Sequence, residues 1–448
     1  MDLLKDDISR LVKKLAIPAS VGTLFQTLYN IVDTFYAGKI SPEALAALSK
    51  SFPLYFIIVA TSIGVTVAGT SLIGSSIGEK NEKKALKYFT HVIFFGIIIS
   101  LFITFIGLFF SEKVFYIMNS SKEVTDLGLE YMNIIFPGTI IFILVVALNS
   151  FLHAEGDTVT YRNVLILSFL LNIILNPILI FGFLFIPPLG VAGIGIATLI
   201  AQSVSLLIIL IKILNNNRIK HITIEYLKIK FLFLIEIFFQ SMPIALAIFG
   251  YSIAAIIVFS FVGLSGEYAV AGYGAATRIE QVVLLPILGI NTAIISIIAQ
   301  NIGAKFLDRV ENTYFVSIKY GIFLMIIAGI LVFSLADIVP KFFSSNTEVI
   351  LYGSMYLKIS AIILPAYPIF FLSNGFFMAL KRSGKAMINN IIRNVVVPIL
   401  SFYIGLDLHG LRVYCIGKAF ETHKPLYGNA YGQSRTGVWH YSGFCHIW

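Results

Sequence analysis

The chain has 448 residues, of which 58% are hydrophobic and 12% charged, and its formal net charge is +9. Soluble proteins are roughly 45–50% apolar and ~25% charged, so this composition excludes a water-soluble globular protein. Since roughly 20 apolar residues cross a bilayer as a helix, the length and the long apolar stretches predict an all-α polytopic membrane protein and exclude a transmembrane barrel.

The apolar segments, taken in chain order, predict eleven membrane-spanning helices. Their bounds are 15–38, 52–78, 88–111, 130–153, 163–186, 189–213, 231–262, 279–303, 314–339, 355–380 and 387–406. No small-residue cleavage site follows the acidic first residues, so we expect no removable signal peptide. Loops on the N-terminal side hold 21 of the 32 Lys and Arg residues against seven on the other side. This asymmetry predicts a cytoplasmic N-terminus in the cell membrane, and it assigns the basic surplus to loops rather than to a nucleic-acid partner.

The first predicted helix carries a carboxylate among apolar residues. Gln26, Asn30 and Asp33 recur at i, i+4 and i+7, so they form one polar stripe that faces the bundle interior or water. A carboxylate inside a bilayer is costly unless it is protonated, paired or ion-bound, which predicts a functional Asp33; the alternative is an interfacial Asp that reaches the headgroups. Pro18 either permits a bend of this helix that depends on occupancy of Asp33, or it simply marks the start of the helix.

The fifth and sixth predicted helices offer matching polar side chains. Asn172 and Asn176 lie four residues apart, as do Thr198 and Gln202, so each pair projects from one side of its helix. Their oxygens near a carboxylate can coordinate Na⁺ or hydrogen-bond a protonated acid. The alternative is that these residues only join helices together.

The two halves of the chain resemble each other. Residues 18–78 laid over 243–303 share 11 identities in 61 positions, three of them glycines. Each unit is predicted to hold six helices, so the two repeats are parallel, as in transporters with a substrate site between halves. The repeat partner of Asp33 is Val258, so the fold does not require an acid there. The predicted domains are an N-terminal lobe (1–214), a cytoplasmic linker (215–230), a C-terminal lobe with five clear helices (231–410) and an aberrant tail (411–448).

The second half adds three polar positions. Arg278 and Glu280 stand at the outer end of the eighth predicted helix, where we expect an ion pair that holds a gate; a cation site is the alternative. Asn291 lies deeper in the same helix and is expected to line the substrate cavity.

The last residues depart from the repeat. Both Cys and both Trp fall in 411–448, a segment without an apolar run long enough for a twelfth helix. A shifted reading frame would explain the abrupt change of composition, and a folded appendage outside the cytoplasm is the alternative.

The chain contains none of the sequence patterns of the enzymes considered. There is no phosphate loop of the GxxxxGK[ST] type, no HExxH and no paired DxxxD on a helix. We therefore expect no enzymatic activity and no cofactor, with an ion gradient as the energy source.

Several segments together carry a resemblance to a known family. They are IPASVGTLFQTLYNIVDTFYAGKISPEALAALS (17–49), GSSIGEKNEKKA (74–85), ALNSFLHAEGDT (147–158), LNIILNPILIFGF (171–183) and AVAGYGAATRIEQ (269–281). The sequence resembles the multidrug and toxin extrusion (MATE) transporters, in a prokaryotic branch related to the DNA-damage-inducible type, over residues 8–410.

The resemblance implies two six-helix lobes arranged in a V and an antiporter that exports amphipathic, mostly cationic drugs or toxins in exchange for H⁺ or Na⁺. It places the cation site, with Na⁺ as a candidate ion at Asp33, on Asp33, Asn172, Asn176 and Thr198. Relatives often carry an Asp where Asn176 stands, so the smaller negative charge here favours protonation of Asp33 over Na⁺ binding.

Further positions and partners complete the expectations. Tyr36 and Gln202 are expected to line the cavity with the polar residues named above. We expect a monomer in the lipid bilayer with small amphipathic organic cations as partners. The alternative function is a flippase of lipid-linked saccharides, which would need cationic residues in the cavity.

Overall fold

The computed structural model describes residues 1–398 except 119, 222 and 264, with the backbone alone at 221, 224, 225, 251–254, 256, 257 and 260. Predictions for the tail 411–448 and for the twelfth helix lie outside the described residues. Residues Met1–Val396 form one compact unit. Its α-helices are α1 Ile8–Ile40, α2 Pro42–Gly78, α3 Glu82–Ile117, α4 Lys122–Ala154, α5 Val159–Phe181, α6 Gly190–Leu214, α7 Ile224–Leu227, α8 Phe231–Gly263, α9 Glu267–Val283, α10 Leu285–Gly303, α11 Leu307–Leu335, α12 Thr347–Ile363, α13 Tyr367–Ala379 and α14 Ser383–Ile391.

The predicted all-α polytopic fold is confirmed. Within the described residues, ten helical segments are long and apolar enough to cross a membrane. Polar side chains cap the first four helices by accepting hydrogen bonds from backbone N–H groups that have no partner within the helix. The capping residues of α1 to α4 are Asp7, Ser41, Asn81 and Ser121.

Most predicted helix bounds differ by several residues from the observed ones. The predicted helix 355–380 is interrupted by a 3₁₀ turn, Leu364–Ala366, between α12 and α13. Helix α1 begins at Ile8 rather than 15, because Asp7 caps it. The predicted helix 279–303 is divided at Leu284 into α9 and α10. Pro286 in the first turn of α10 explains the break, since proline has no N–H to continue the helical hydrogen bonds of α9. For the predicted helix 387–406, the described residues contain α14 and a π-helical turn, Ile392–Val396.

The two halves have matching helix bounds. Helix α2 spans Pro42–Gly78, and α9 and α10 together span Glu267–Gly303, so both ends are 225 residues apart. Helix α4 and the pair α12–α13 match at both ends with the same offset, as do the first residues of α3 and α11. The offset of 225 found by sequence comparison thus recurs in the helix bounds.

Glycines bring the two halves into backbone contact at equivalent places. A Cβ at Gly78 would lie 1.9 Å from the carbonyl oxygen of Gln300, and a Cβ at Gly303 would lie 1.9 Å from that of Ser75. With the offset of 225, Gly78 corresponds to Gly303 and Ser75 corresponds to Gln300, so each contact is the repeat equivalent of the other. This correspondence indicates a pseudo-two-fold relation between α2 and α10. Only glycine permits so close an approach of two helices.

The segment before α1 also joins the two halves. The Leu3 side chain is buried and packs on Gly156, which follows α4. The backbone carbonyl of Leu3 accepts hydrogen bonds from Asn301 Nδ2 at 3.0 Å and Arg309 Nη2 at 3.3 Å. We call the end of the bundle that carries Leu3, Gly78, Gly156 and Gly303 the N-terminal face.

Candidate functional site

Asp33 is a buried carboxylate, 6% exposed, in the second half of α1. Its Oδ1 accepts hydrogen bonds from Asn172 Nδ2 at 2.8 Å and Asn176 Nδ2 at 2.9 Å, both on α5. Its Oδ2 accepts one from Thr198 Oγ1 on α6 at 3.3 Å. The structure therefore brings together all four residues predicted to form the cation site, and the carboxylate ties α1 to two other helices.

Local sequence explains why these side chains meet. Asn172 and Asn176 lie one turn apart, and Asn176 Nδ2 also donates to Asn172 Oδ1 at 3.1 Å. Gly193 lets α6 approach α5 closely, because a Cβ there would lie 2.8 Å from the backbone carbonyl of Leu179. The close packing of α5 and α6 positions the three donors around one acceptor.

Two buried oxygens in this region lack a hydrogen-bond partner within the described residues. They are Asn176 Oδ1 and the Tyr29 hydroxyl, which lies one turn before Asp33. Carboxylate and amide oxygens are suitable Na⁺ ligands, so Asp33 with the free Asn176 oxygen fits the chemistry of a small hard cation. The same arrangement also accommodates a proton on Asp33. The donor set therefore suits either ion.

Three tyrosines outside the predicted site lie in the neighbourhood of the carboxylate. Tyr29, Tyr55 and Tyr131 interact electrostatically with Asp33. Tyr29 could have been found from its i−4 spacing on α1. Tyr55 and Tyr131 come from α2 and α4, and only the packing of those helices brings them near Asp33.

The other predicted cavity residues do not contact Asp33 by any described hydrogen bond. Gln26 and Asn30 are exposed, as a face toward water requires, and Gln202 is half-buried. The Tyr36 hydroxyl donates to the carbonyl of Ile173 at 3.5 Å. Their role in a substrate cavity stays a prediction.

Asn291 and Pro18 lie at helix contacts. The Oδ1 of Asn291 would be 1.9 Å from a Cβ at Gly375, so this side chain packs against α13. Pro18 lies inside α1 rather than at its start. Its neighbours in α1 pack on α10, where a Cβ at Gly289 would lie 2.5 Å from the carbonyl oxygen of Ala16. The segment that contains Pro18 is therefore one of those through which α1 contacts the second half.

The predicted ion pair of Arg278 and Glu280 is not formed in the described part of the chain. Residues i and i+2 project from different sides of a helix, so these side chains do not face each other. Glu280 accepts hydrogen bonds from the hydroxyls of Tyr367 at 2.5 Å and Tyr356 at 2.6 Å. Two tyrosine hydroxyls thus take the place of the predicted Arg278 partner, and a gate at this position stays a prediction.

Aromatic rings surround this second carboxylate. The ring of Tyr273 meets that of Tyr356 edge-on at a centroid distance of 5.0 Å. The guanidinium of Arg393 lies over the rings of Phe370 and Tyr367, at 4.0 Å and 4.7 Å from their centroids. Contacts of this kind stabilise a cation, and here the cation is the side chain of Arg393 itself.

Comparison with known proteins gives one family. A family model described as MatE matches the chain twice, over residues 18–178 and 243–404. The two matches begin 225 residues apart, which agrees with the offset between the halves. Together they cover more than half of the chain.

Relatives match along nearly the whole chain. The Probable multidrug resistance protein YoeA of Bacillus subtilis is 26% identical over 425 residues, covering 91% of this chain and 90% of that protein. The FAD transporter of Shewanella oneidensis is 25% identical over 414 residues, covering 92% and 91%. A crystal structure of MATE in the bent conformation is 27% identical with a TM-score of 0.83, covering 90% and 89%.

Proposed function

The chain belongs to the MatE family, and from this premise we propose that it is an antiporter that exports small amphipathic organic cations in exchange for H⁺ or Na⁺. It is a multi-pass membrane transporter and not an enzyme. The observation that carries the coupling proposal is the buried Asp33 with its three hydrogen-bond donors from α5 and α6. We place the N-terminal face on the cytoplasmic side, because its loops carry most of the basic residues.

Ion binding at Asp33 would change how firmly α1 is held. An ionised carboxylate accepts charge-assisted hydrogen bonds, which are roughly twice as strong as those to a neutral acceptor. Uptake of H⁺ removes the charge and weakens the bonds to Asn172, Asn176 and Thr198. A Na⁺ ion acts on the same bonds by competing for the Asp33 oxygens. Occupancy of the site therefore alters the attachment of α1 to α5 and α6.

The same helix provides a route to the second half. Ala16 and Ser20, on either side of Pro18, pack on Gly289 of α10. Proline leaves one helical hydrogen bond unmade, so a bend of α1 costs less there than elsewhere. A change at Asp33 can thus move the segment of α1 that contacts the second half, which links ion binding to exchange between the two access states.

Glu280 is the candidate position for the cationic group of the substrate. The negative charge of this carboxylate attracts an organic cation, and the rings of Tyr273 and Tyr356 lie beside it, whereas Arg393 lies over the rings of Tyr367 and Phe370. The Tyr356 and Tyr367 hydroxyls hold the carboxylate in place. Glu280 is half-buried, so part of its side chain is accessible. This assignment takes up the cation-site alternative that the sequence left open for Arg278 and Glu280.

We expect Glu280→Gln to raise the KM for ethidium or tetraphenylphosphonium about tenfold while changing kcat little, because Gln removes the charge at nearly the same size. Its one amide oxygen still accepts from one of the two tyrosine hydroxyls, and its NH₂ group donates to the other. The measurement is concentration-dependent efflux from proteoliposomes. Glu267→Gln, at an exposed acid on the same helix, is the matched control and should leave KM unchanged. Equal KM values for Glu280→Gln and the unmodified chain would exclude Glu280 from substrate binding.

A flippase of lipid-linked saccharides would need different side chains at the site. Lipid-linked saccharides carry anionic pyrophosphate, which requires cationic side chains in the cavity. The groups in contact with Asp33 are amides and a hydroxyl. These contacts favour a small cation at this position over an anionic headgroup.

The proposed function is tested by substrate-driven ion flux in proteoliposomes. An imposed pH gradient and an imposed Na⁺ gradient are compared, with ethidium and FAD as alternative substrates. Ethidium export that accelerates with either gradient supports the proposal and identifies the ion. Transport of FAD alone would replace the organic-cation assignment, and export that ignores both gradients would contradict antiport.

A further inference from the structure

The N-terminal end of α1 carries a cluster of three exposed cations. Arg10, Lys13 and Lys14 lie at i, i+3 and i+4, so they share one face of the helix. None of them takes part in an ion pair within the residues that the structure describes. Three neighbouring like charges repel one another, so this face is suited to a bound anion.

These cations line an open groove of about 560 Å³. The complete lining is Asp7, Ser9, Arg10, Lys13, Lys14, Ile17 and Pro18. Asp7 is the one acid among them, and its carboxylate accepts the backbone N–H of Arg10 at 2.9 Å as the cap of α1. The groove therefore has a net positive charge with an apolar end.

The cluster lies at the boundary between a charged part and an apolar part of the α1 surface. Ile17 is 63% exposed, one turn beyond Lys13 and Lys14. Exposed apolar residues continue along α1 at Ile31 and Phe35. In a membrane-spanning helix this change marks the boundary between headgroups and acyl chains. A ligand with an anionic head and an apolar tail matches both parts of the groove.

Tyr320, on α11 in the second half of the bundle, lies beside this basic cluster. The Ser9 and Tyr320 hydroxyls form a hydrogen bond between α1 and α11. The Nζ of Lys13 lies 4.8 Å from the centre of the Tyr320 ring. These contacts orient Lys13 toward the line along which α1 meets α11.

The equivalent surface of the repeat shows that the fold does not require these charges. With the offset of 225, the positions of Arg10, Lys13, Lys14 and Ile17 correspond to Ile235, Phe238, Phe239 and Met242 on α8. Phe238 and Phe239 are exposed there and contact each other edge-on. The basic cluster is thus a property of α1 alone.

We propose that Arg10, Lys13 and Lys14, with Ile17 and Tyr320, form a binding site for the headgroup of an anionic phospholipid. The phosphodiester lies among the three cations, and an acyl chain follows the exposed Ile17 into the membrane. Basic residues next to a membrane helix attract anionic lipids in this way. Because the site borders both α1 and α11, a bound lipid favours the arrangement in which these helices are in contact.

The test measures binding of phosphatidylglycerol and phosphatidylcholine to the purified full chain in detergent, by native mass spectrometry. We expect the Arg10→Gln/Lys13→Gln/Lys14→Gln variant to bind phosphatidylglycerol about 100-fold more weakly, since each of the three cations contributes about 1 kcal/mol to attraction of the anionic head. The matched control is Lys83→Gln/Lys212→Gln/Lys228→Gln, which removes three exposed charges elsewhere and should retain binding.

A charge-preserving variant separates electrostatics from folding. Arg10→Lys/Lys13→Arg/Lys14→Arg should bind phosphatidylglycerol as the unmodified chain does, even if the neutral variant is poorly folded. Equal binding of both phospholipids, or equal loss in the site and control variants, would overturn the proposal. Displacement of the lipid by millimolar inorganic phosphate would instead identify a site for free anions and also overturn it.

Discussion

Replacing Asp33 by Asn is expected to abolish ion-driven export, lowering uphill transport of ethidium about 100-fold, the upper range of coupling between two sites. Asn is nearly isosteric, but it cannot be ionised. Its one amide oxygen would accept from Asn172 and Asn176 as a neutral acceptor under all conditions, while its NH₂ group would donate to the Thr198 hydroxyl instead of accepting from it. The attachment of α1 to α5 and α6 would no longer respond to H⁺ or Na⁺.

The measurement uses proteoliposomes with an imposed pH or Na⁺ gradient, and it compares uphill export with exchange of labelled substrate at equilibrium. The Asp33→Asn variant should lose uphill export but retain exchange, since the proposed substrate position, Glu280, lies in the other half of the chain. Asp126→Asn, at an exposed acid on α4, is the control and should retain both. Uphill export by Asp33→Asn at the rate of the unmodified chain would contradict the coupling proposal.

The residues around Asp33 could be predicted because polar side chains are conspicuous in an apolar helix. An acid at 33 and amides at 172 and 176 stand out by composition alone, and their i, i+4 spacing indicates which faces they share. Burial at a common point then follows from the cost of leaving such groups in lipid. The structure places all of them in contact with one carboxylate.

The surroundings of Glu280 could not be predicted in the same way. Its partners Tyr356 and Tyr367 lie 76 and 87 residues away along the chain. Aromatic residues are frequent in this sequence, at 14%, so no single tyrosine stands out. Proximity in sequence therefore favours Arg278 as its partner, although helix geometry directs the two side chains apart.

The positions of the helix breaks could not be predicted from the local sequence either. Pro286 was visible in the sequence, yet prolines also occur inside continuous helices here, as at Pro18 in α1 and Pro53 in α2. Proline removes one hydrogen bond in every case. Whether the helix then bends, breaks or continues depends on packing around it, which the local sequence does not contain.

Gly78 on α2 and Gly303 on α10 lead to the second large prediction. Gly78→Ala is expected to separate α2 from α10 at the N-terminal face, because its Cβ would lie 1.9 Å from the carbonyl oxygen of Gln300. Overpacking of this kind costs about 1–3 kcal/mol. The repeat relation predicts the same effect for Gly303→Ala, whose Cβ would meet Ser75. Both variants should favour arrangements in which the N-terminal face is open.

The opening can be measured by thiol labelling at Ala154, which is fully buried and whose carbonyl accepts a hydrogen bond from Gln300 at 2.6 Å. In an Ala154→Cys chain with Cys415 and Cys445 replaced by Ser, we expect Gly78→Ala to accelerate labelling about tenfold, the change in population that such a free energy produces. Gly274→Ala on α9 is the control, since no atom lies within 4 Å of its added Cβ. Unchanged labelling in both Gly78→Ala and Gly303→Ala would show that this contact does not hold the face closed.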